Sequence, residues 1–373
     1  MNVFHRIYSQ VRYLDLILPL SVFILITIGL VSLYSIDLSQ GSELRYFTTQ
    51  TIALLLGAGV ATVAGSFHAT RYQAASRFIY LIALLLLASV LFFGVTIRGT
   101  TGWFRFLGFS FQPAEFAKVG LILMLGRLIS KSGRQFNSPK FLISSAALTF
   151  AIIGLIMLQP DLGSSLVLGG IWFGLLFLAG IKKRYIFGLI AILVITATVG
   201  WFFLLQDYQK DRVLTFVNPE RDPLGSGYNV TQSVIAIGAG QFFGRGLGQG
   251  SQSQLHFIPE AQTDFIIAVI GEELGFFGLL LILFLYGLIV YRLIRIASRA
   301  RDDFAAYTVM GIACLFFLQL IINLGGASGI LPVTGVTLPF LSYGGSSLII
   351  NLLLVGIAES IARSTEMSLR RAG

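Results

Sequence analysis

Ten apolar stretches, each nearly as long as a bilayer-spanning helix, constrain this chain more than any other feature of its sequence. A helix needs roughly 20 mostly apolar residues to cross the hydrocarbon core of a membrane. Charged residues make up only 12% of the chain, against about 25% in soluble domains, which excludes a cytosolic enzyme, a disordered protein and a disulfide scaffold. The predicted spans are residues 14–34, 46–66, 78–97, 113–129, 141–158, 164–180, 185–205, 263–291, 304–324 and 342–362.

The distribution of basic residues predicts how these spans are oriented. With ten spans, the N-terminal tail, the even-numbered loops and the C-terminal tail share one side, and together they carry 18 of the 26 Lys and Arg residues. Because Lys and Arg concentrate in cytoplasmic loops, both termini are predicted to be cytoplasmic. The net charge of +9 is therefore a topology signal and gives no support to nucleic-acid binding.

The connections between spans are mostly short, so we expect a single transmembrane domain over residues 1–373. The exception is the loop of residues 206–262, which joins the seventh and eighth spans on the extracytoplasmic side. Its amphipathic stretch, residues 228–243, favours an ordered element lying along the membrane surface. Cys314 is the one cysteine and the three histidines are scattered, which excludes an intrachain disulfide and predicts no dedicated metal site.

Most polar residues that a bilayer should not tolerate lie at the extracytoplasmic ends of the predicted spans. In the fourth span, Glu115 and Lys118 are three residues apart, which places them on one helix face. Ionisable groups inside spans usually face a cavity or a partner. Two interpretations of the pair remain open: a structural ion pair that locks two helices, or an ammonium that receives an anionic substrate group while Glu115 positions it.

Five other positions have both a structural and a functional interpretation. Trp103 and Arg105 could be interfacial anchors and Asp161 could cap the sixth helix, and position alone favours these structural roles. Asp264 is expected in the first turn of the eighth helix, as a helix-terminal acid or a general base. Ser342 lies among small residues that either allow close helix packing or leave backbone N–H groups for a phosphate.

Two features of the second half of the chain are less specific. Glu272 and Glu273 lie deeper in the eighth span, and we expect them to pair with a basic group of a neighbouring helix. The glycine-rich residues 244–250 are similar to a nucleotide-binding loop, but they follow no predicted strand and lie on the extracytoplasmic side. A glycine pattern outside its strand–helix context is weak evidence for nucleotide binding.

Six motifs occur in one order along the chain, and several motifs in order are far more specific than any one of them. They are residues 112–118 (QPAEFAK), 159–163 (QPDLG), 222–228 (DPLGSGY), 252–254 (QSQ), 257–265 (FIPEAQTDF) and 338–347 (LPFLSYGGSS). In these motifs the chain resembles the SEDS family (shape, elongation, division and sporulation) of bacterial cell-wall polymerases. The resemblance runs from the first span to the tenth, and the long loop resembles the elongation branch more than the division branch.

The resemblance implies a ten-helix peptidoglycan glycosyltransferase that polymerises lipid II into β-1,4 glycan strands at the outer face of the bacterial cytoplasmic (inner) membrane, for elongation and rod shape. It implies that Asp264 is the family's essential aspartate and Trp103 an important outer-loop residue. Glu115 and Lys118 match the family's buried pair. The implied partners are a class B penicillin-binding protein, which supplies the transpeptidase, and other proteins of the elongation complex.

The sequence departs from the family's pattern at three positions. Many relatives have Arg at Gly102, Arg at Ser110 and His at Gln262. If those arginines contact pyrophosphate, Arg98 or Arg105 must substitute for them in this chain.

The chemistry of lipid II needs few protein groups, because its sugar is carried on undecaprenyl pyrophosphate, a good leaving group. One base must take the proton of the acceptor's 4-hydroxyl, and positive charge must stabilise the departing pyrophosphate. We predict that Asp264 is the base and that Lys118, with Arg105 or Arg245, supplies the charge. The pattern demands no cofactor, and a divalent cation, Mg²⁺ or Mn²⁺, between Asp264 and pyrophosphate is an open alternative.

Two rival functions remain open from the sequence. One is transport, by a lipid II flippase or another solute carrier, and the other is a non-catalytic scaffold of a cell-wall complex. Transporters often show repeated halves with broken helices near the membrane midplane. No repeat is visible here and the polar groups gather at the extracytoplasmic ends, which favours the polymerase.

Overall fold

The described residues of the computed structural model are 15–39, 41, 44–97, 99–106, 109–133, 136, 138–203, 207–218 and 226–372. They form a helical bundle with one small sheet. The elements, in chain order, are α1 (Ile17–Ser39), α2 (Arg45–Ser66), α3 (Ala69–Phe93), β1 (Val95–Ile97), β2 (Thr100–Phe106), β3 (Phe109–Phe111), α4 (Pro113–Ser132), α5 (Pro139–Met157), α6 (Leu162–Leu178), α7 (Lys183–Phe203), α8 (Asp207–Val217), α9 (Ser226–Ala239), α10 (Ser251–Gln254), α11 (Ile266–Ser298), α12 (Asp303–Ala327) and α13 (Gly345–Ala372).

A helix occupies each segment in which the sequence predicts a span, namely α1–α7 and α11–α13. Within the described residues, seven helices are long and apolar enough to cross a membrane: α1, α2, α3, α5, α11, α12 and residues 345–366 of α13. The apolar α6 is shorter, and α4 carries both acidic and basic side chains along its length. The chain is therefore an all-α polytopic membrane protein, whereas the count of ten spans and their orientation remain predictions.

Small residues allow α13 to pack closely against α2, and the segment before α13 to pack closely against α1. A Cβ added at Gly356 would lie 2.4 Å from the main-chain oxygen of Ala61 in α2. A Cβ added at Gly29 in α1 would lie 2.8 Å from the Leu341 oxygen, just before α13 begins. Close backbone approach through small residues is the usual basis of helix packing in membranes. The N-terminus of α13 lies at one end of the bundle, together with the starts of α2, α4 and α6, and we call this the cavity end.

A three-stranded antiparallel sheet lies at the cavity end, in the connection between α3 and α4. The strand order is β1-β2-β3, with Val95 paired to Trp103 and Arg105 paired to Ser110. These short hairpins turn the chain back from the end of α3 to the start of α4. They place the predicted site residues Trp103 and Arg105 on β2.

The expectation that Asp264 lies in the first turn of the eighth predicted span is wrong. The helix α11 begins at Ile266, with Phe265 as its N-cap. Residues 259–265 form a turn instead, in which the Thr263 N–H donates to the Glu260 oxygen at 3.0 Å. This main-chain bond bends the chain before the helix starts. Asp264 therefore lies in the turn that precedes α11.

Helix α11 is broken at Gly275, which has φ 68° and ψ −163°. The break leaves main-chain groups without partners inside the helix, and the glycine-rich loop between α9 and α10 satisfies them. On one side of the break the carbonyls accept bonds from that loop, and on the other side the N–H groups donate to it. The four bonds are Arg245 N–H to Glu272 oxygen (2.9 Å), Gly246 N–H to Glu273 oxygen (3.1 Å), Phe276 N–H to Gln241 oxygen (2.8 Å) and Phe277 N–H to Phe242 oxygen (3.2 Å).

In the part of the chain that the structure describes, Glu272 and Glu273 do not form the ion pairs that we expected from the sequence. The Glu272 carboxylate accepts from the N–H groups of Gln252 at 2.8 Å and Ser253 at 2.9 Å. Glu273 accepts from the Gly248 N–H at 3.0 Å and from the Ser35 hydroxyl. The carboxylates bind main-chain donors because the loop is inserted at the break in α11. The glycines of this loop therefore serve close backbone packing in the described structure.

Candidate functional site

A cavity of about 670 Å³ lies at the cavity end of the bundle. It is bounded by the start of α2, the sheet, the starts of α4 and α6, the turn before α11 and the segment before α13. The structure brings six of the eight predicted site residues to its wall. They are Trp103, Arg105, Glu115, Lys118, Asp161 and Asp264. A second, open groove of about 470 Å³ is lined by residues of α2 together with Phe67, Tyr72 and Leu353, and it contains none of the predicted residues.

Glu115 and Lys118 form the predicted pair, which is confirmed. The Lys118 ammonium donates to Glu115 Oε1 at 2.6 Å, and the two residues are only 2% and 4% exposed. Pro113 opens α4 and Glu115 lies in its first turn, where the helix dipole favours a carboxylate. An ammonium has three N–H donors, and the described structure shows Glu115 using one of them at the cavity wall.

Asp161 caps α6, as its position predicts. Its carboxylate accepts from the Ser164 N–H at 2.9 Å and from the Ser164 hydroxyl at 2.7 Å. It also accepts from Gln112 Nε2 at 3.2 Å, and Gln112 is the N-cap residue of α4. Asp161 therefore ties the starts of α4 and α6 together beside the cavity. Its contacts support a structural role, and substrate binding by Asp161 remains a prediction.

Trp103 is half-buried and Arg105 is exposed, and both line the cavity from β2. The neighbouring Gly102 is buried, and a Cβ added there would lie 3.0 Å from Gln159 Oε1. The Gln159 amide is in turn held by the Leu87 carbonyl at 3.2 Å. A side chain at position 102 would therefore require the end of the Gln159 side chain to shift by a few tenths of an ångström.

The other two departures from the family pattern lie at the cavity. Ser110 and Gln262 line it, whereas Arg98 lies outside the described residues. Sequence reasoning missed Arg45, which lines the cavity at the start of α2. The signal that could have found it is its position directly before the second predicted span, because the first residues of that span face the same end of the bundle.

Two predicted site residues, Arg245 and Ser342, are not among the side chains that line the cavity. The Arg245 guanidinium donates to the Ala239 carbonyl at 3.2 Å and to the Ser251 hydroxyl at 3.0 Å, so it belongs to the glycine-rich loop. Ser342 is buried, and its hydroxyl donates to the Thr263 carbonyl at 2.7 Å. The sequence predicts that Arg105 or Arg245 adds positive charge beside Lys118. Of these two arginines, Arg105 is the one that lines the same cavity as Lys118.

The start of α13 also reaches the cavity, through Gly344, Gly345, Ser346 and Ser347. Helix N-termini attract anions, so both the cations and this helix end favour a negatively charged ligand. Asp264 lines the same cavity and supplies a carboxylate that could accept a proton. Within the described residues, no three His, Cys, Asp or Glu side chains come together as a metal-binding cluster.

Comparisons with known proteins agree with the motifs. The FtsW/RodA/SpoVE family, described as cell cycle protein, matches residues 15–367. The peptidoglycan glycosyltransferase MrdB of Escherichia coli K12 is 36% identical over 351 residues, 94% of each chain. The probable peptidoglycan glycosyltransferase FtsW of Trichlorobacter lovleyi is 36% identical over 366 residues, 95% of this chain and 94% of its own. This chain is equally identical to the relative named MrdB and to the relative named FtsW. The comparisons therefore do not separate the elongation branch from the division branch, and the resemblance to the elongation branch remains a prediction.

The fold agrees as well. A chain of a solved structure described as "Structural coordination of polymerization and crosslinking by a peptidoglycan synthase complex" is similar with a TM-score of 0.81 and 33% identity. The similarity covers 94% of this chain and 98% of that one. The chain therefore belongs to the FtsW/RodA/SpoVE family, which is the SEDS family that the motifs predict.

Proposed function

We propose that this protein is a peptidoglycan glycosyltransferase that polymerises lipid II into β-1,4 glycan strands. The observation that carries the proposal is that Asp264 and Lys118 line one cavity, in a chain that is 36% identical to relatives named peptidoglycan glycosyltransferases. A carboxylate and a cation within one cavity are the two kinds of group that this transfer needs.

In the proposed mechanism, Asp264 takes the proton of the acceptor's 4-hydroxyl while that oxygen attacks the anomeric carbon of the donor sugar. The bond from this carbon to the pyrophosphate oxygen breaks, and the undecaprenyl pyrophosphate leaves with the electron pair. Lys118 and Arg105 stabilise the negative charge on the leaving group, and Arg45 is placed to assist them. In-line attack inverts the α-linked donor to a β-1,4 bond.

A divalent cation, Mg²⁺ or Mn²⁺, would bind in this cavity to groups of both the protein and the substrate. Magnesium is usually held by one or two carboxylates together with substrate phosphates. Asp264, which lines the cavity, would be the protein ligand. The cation would supply further positive charge for the pyrophosphate.

The proposed topology has ten spans, cytoplasmic termini and a cavity that opens to the outer face of the cytoplasmic membrane. The excess of Lys and Arg in the termini and even-numbered loops supports this orientation. The polyprenyl tails of donor and product would then remain in the bilayer while the headgroups react in the cavity. Residues 228–239 of the amphipathic stretch predicted in the long loop belong to α9, and we propose that this stretch lies along the outer membrane surface.

The proposed partner is a class B penicillin-binding protein that crosslinks the new strands, within an elongation complex that maintains rod shape. The structural similarity to a chain of a peptidoglycan synthase complex supports such a partner. The family-like motifs of the long loop support the elongation branch over the division branch.

The function is tested by giving purified protein lipid II in detergent and in vesicles. We expect a ladder of glycan chains on a gel from the wild-type protein and none from Asp264→Ala. Movement of labelled lipid II across the vesicle membrane without polymer would favour the flippase. Neither polymer nor movement, even with the transpeptidase partner present, would favour the scaffold.

A further inference from the structure

The turn that carries Asp264 is held in place through its main chain. The three consecutive carbonyls of residues 262–264 each accept a hydrogen bond from another part of the protein. The first accepts from the Tyr343 N–H at 2.8 Å, and the second accepts from the Ser342 hydroxyl at 2.7 Å. The third, which is that of Asp264 itself, accepts from Asn323 Nδ2 at 3.2 Å. Three neighbouring contacts of this kind fix both the position and the tilt of the turn.

Asn323 of α12 connects two main-chain segments. Its side-chain nitrogen donates to the Asp264 carbonyl and to the Val336 carbonyl, the latter at 2.9 Å. Both neighbours are acceptors, so the amide nitrogen and not the amide oxygen must face them. Asn323 is 4% exposed, and a buried amide of this kind makes directional contacts that an apolar side chain of the same shape cannot replace.

Ser342 is itself held in place by hydrogen bonds to Leu338 and to Gln50 of α2. Its hydroxyl accepts from the Leu338 N–H at 2.9 Å while donating to the turn. Its main-chain oxygen accepts from Gln50 Nε2 at 3.1 Å, and Gln50 Oε1 accepts from the Gly344 N–H at 3.1 Å. The segment that holds the Asp264 turn is therefore itself fixed to α2.

We propose that Asn323 and Ser342 are positioning residues for Asp264, an inference that rests on the proposed role of Asp264 as the base. Neither side chain is among those that line the cavity, so each acts through the main chain of the turn. A general base must reach within about 2.6–3.2 Å of the atom that loses its proton. A misplacement of about 1 Å costs roughly 100-fold in rate. We expect the loss of one of these hydrogen bonds to lower the rate by up to this factor.

The test compares Asn323→Leu and Ser342→Ala with the wild type, as purified full-length proteins checked for folding by gel filtration and thermal melting. We expect kcat for lipid II polymerisation to fall between about tenfold and 100-fold, with KM within about threefold because no cavity-lining side chain is lost. Ser342→Thr keeps the hydroxyl and should recover kcat to within a few-fold of the wild type.

The matched control is Ser360→Ala. Ser360 is as buried as Ser342, and its hydroxyl likewise donates to a carbonyl of another element, that of Phe67. It lies in the half of α13 remote from the cavity end, so its loss should change kcat by less than about twofold. A Ser342→Ala protein that melts like the control but keeps the wild-type kcat would overturn the proposal.

Four further outcomes are decisive. If Asn323→Leu does not fold, Ser342→Ala and its threonine rescue decide the question alone, and a threonine variant as slow as the alanine variant counts against positioning. A rise in KM at constant kcat also counts against it. An inactive Asp264→Asn beside fully active Asn323→Leu and Ser342→Ala sinks only this inference, whereas an active Asp264→Asn sinks the proposed base itself.

Discussion

Removing the charge of Lys118 distinguishes the two interpretations of its pair with Glu115. The Lys118 Nζ and Glu115 Oε1 atoms are 2.6 Å apart. At that separation two unit charges attract by about 6 kcal/mol in a medium of effective dielectric about 20, and much of this attraction offsets the cost of removing both groups from water. In Lys118→Met the Glu115 carboxylate stays buried without its partner, so we expect the free energy of unfolding to fall by about 3–5 kcal/mol.

The double variant Glu115→Gln/Lys118→Met separates stability from activity. Replacing a buried ion pair with apolar residues of similar size is often neutral for stability, whereas a charge left without its partner is costly. Glutamine and methionine leave no unpaired charge, so the double variant should regain most of the loss. If the pair is only structural, polymerisation should return as well. We expect it to stay at least about 100-fold below the wild type, because removing one group that stabilises developing negative charge costs about 10²–10³ in kcat.

Both quantities are measured on detergent-purified protein, by thermal unfolding and by lipid II polymerisation per folded molecule. Lys131→Met is the matched control, since Lys131 lies in the last turn of the same helix and is exposed, and both readouts should stay near wild type. The reasoning is refuted if the double variant polymerises at the wild-type rate, or if Lys118→Met unfolds like the wild type.

Three further predictions concern other parts of the molecule. Gly240→Ala should lower the free energy of unfolding, measured by thermal melting, by about 1–3 kcal/mol, because its Cβ would lie 1.9 Å from the Gly271 oxygen. Gly238→Ala is the control: its Cβ meets nothing within 4 Å, so the free energy of unfolding should not fall by this amount. Trp103→Ala should raise KM for lipid II about tenfold in a saturation curve, because burying a side chain of this size against a ligand contributes on the order of 1.5–3 kcal/mol; an unchanged KM would contradict its place at the wall. EDTA should slow polymerisation at least about tenfold, and added Mg²⁺ or Mn²⁺ should restore the rate, because a cation held by one carboxylate and substrate oxygens dissociates readily. Full activity in EDTA would show that no divalent cation takes part in the reaction.

Local composition predicted the helices well, because a run of about 20 apolar residues has few alternatives in a membrane. It also predicted the pair of Glu115 and Lys118 and the cap at Asp161, which depend on spacings of three residues along one helix. These features are read from neighbours in sequence. The convergence of Asp264 and Lys118 on one cavity depends on the whole fold. Their predicted positions at the same ends of the spans and the family resemblance both pointed to it, but neither gave the contact geometry.

Apart from Arg45 at the cavity wall, the features that the sequence did not predict depend on contacts with the main chain of distant segments. Glu272 binds the N–H groups of Gln252 and Ser253, and main-chain donors have no signature in side-chain spacing. Ser342 lies in a family motif, yet its hydroxyl serves the Thr263 carbonyl. Arg245 belongs to the loop that fills the break at Gly275, a role that only the geometry of the break makes visible.

The most direct test of the account is the polymerisation rate of Asp264→Asn measured under saturating lipid II. Asparagine keeps the size of the side chain and loses its ability to accept a proton, so folding and KM should change little. A positioned general base contributes about 10²–10⁴ in rate, and the account predicts a loss in that range. A folded Asp264→Asn protein that polymerises lipid II within about tenfold of the wild-type rate would contradict it.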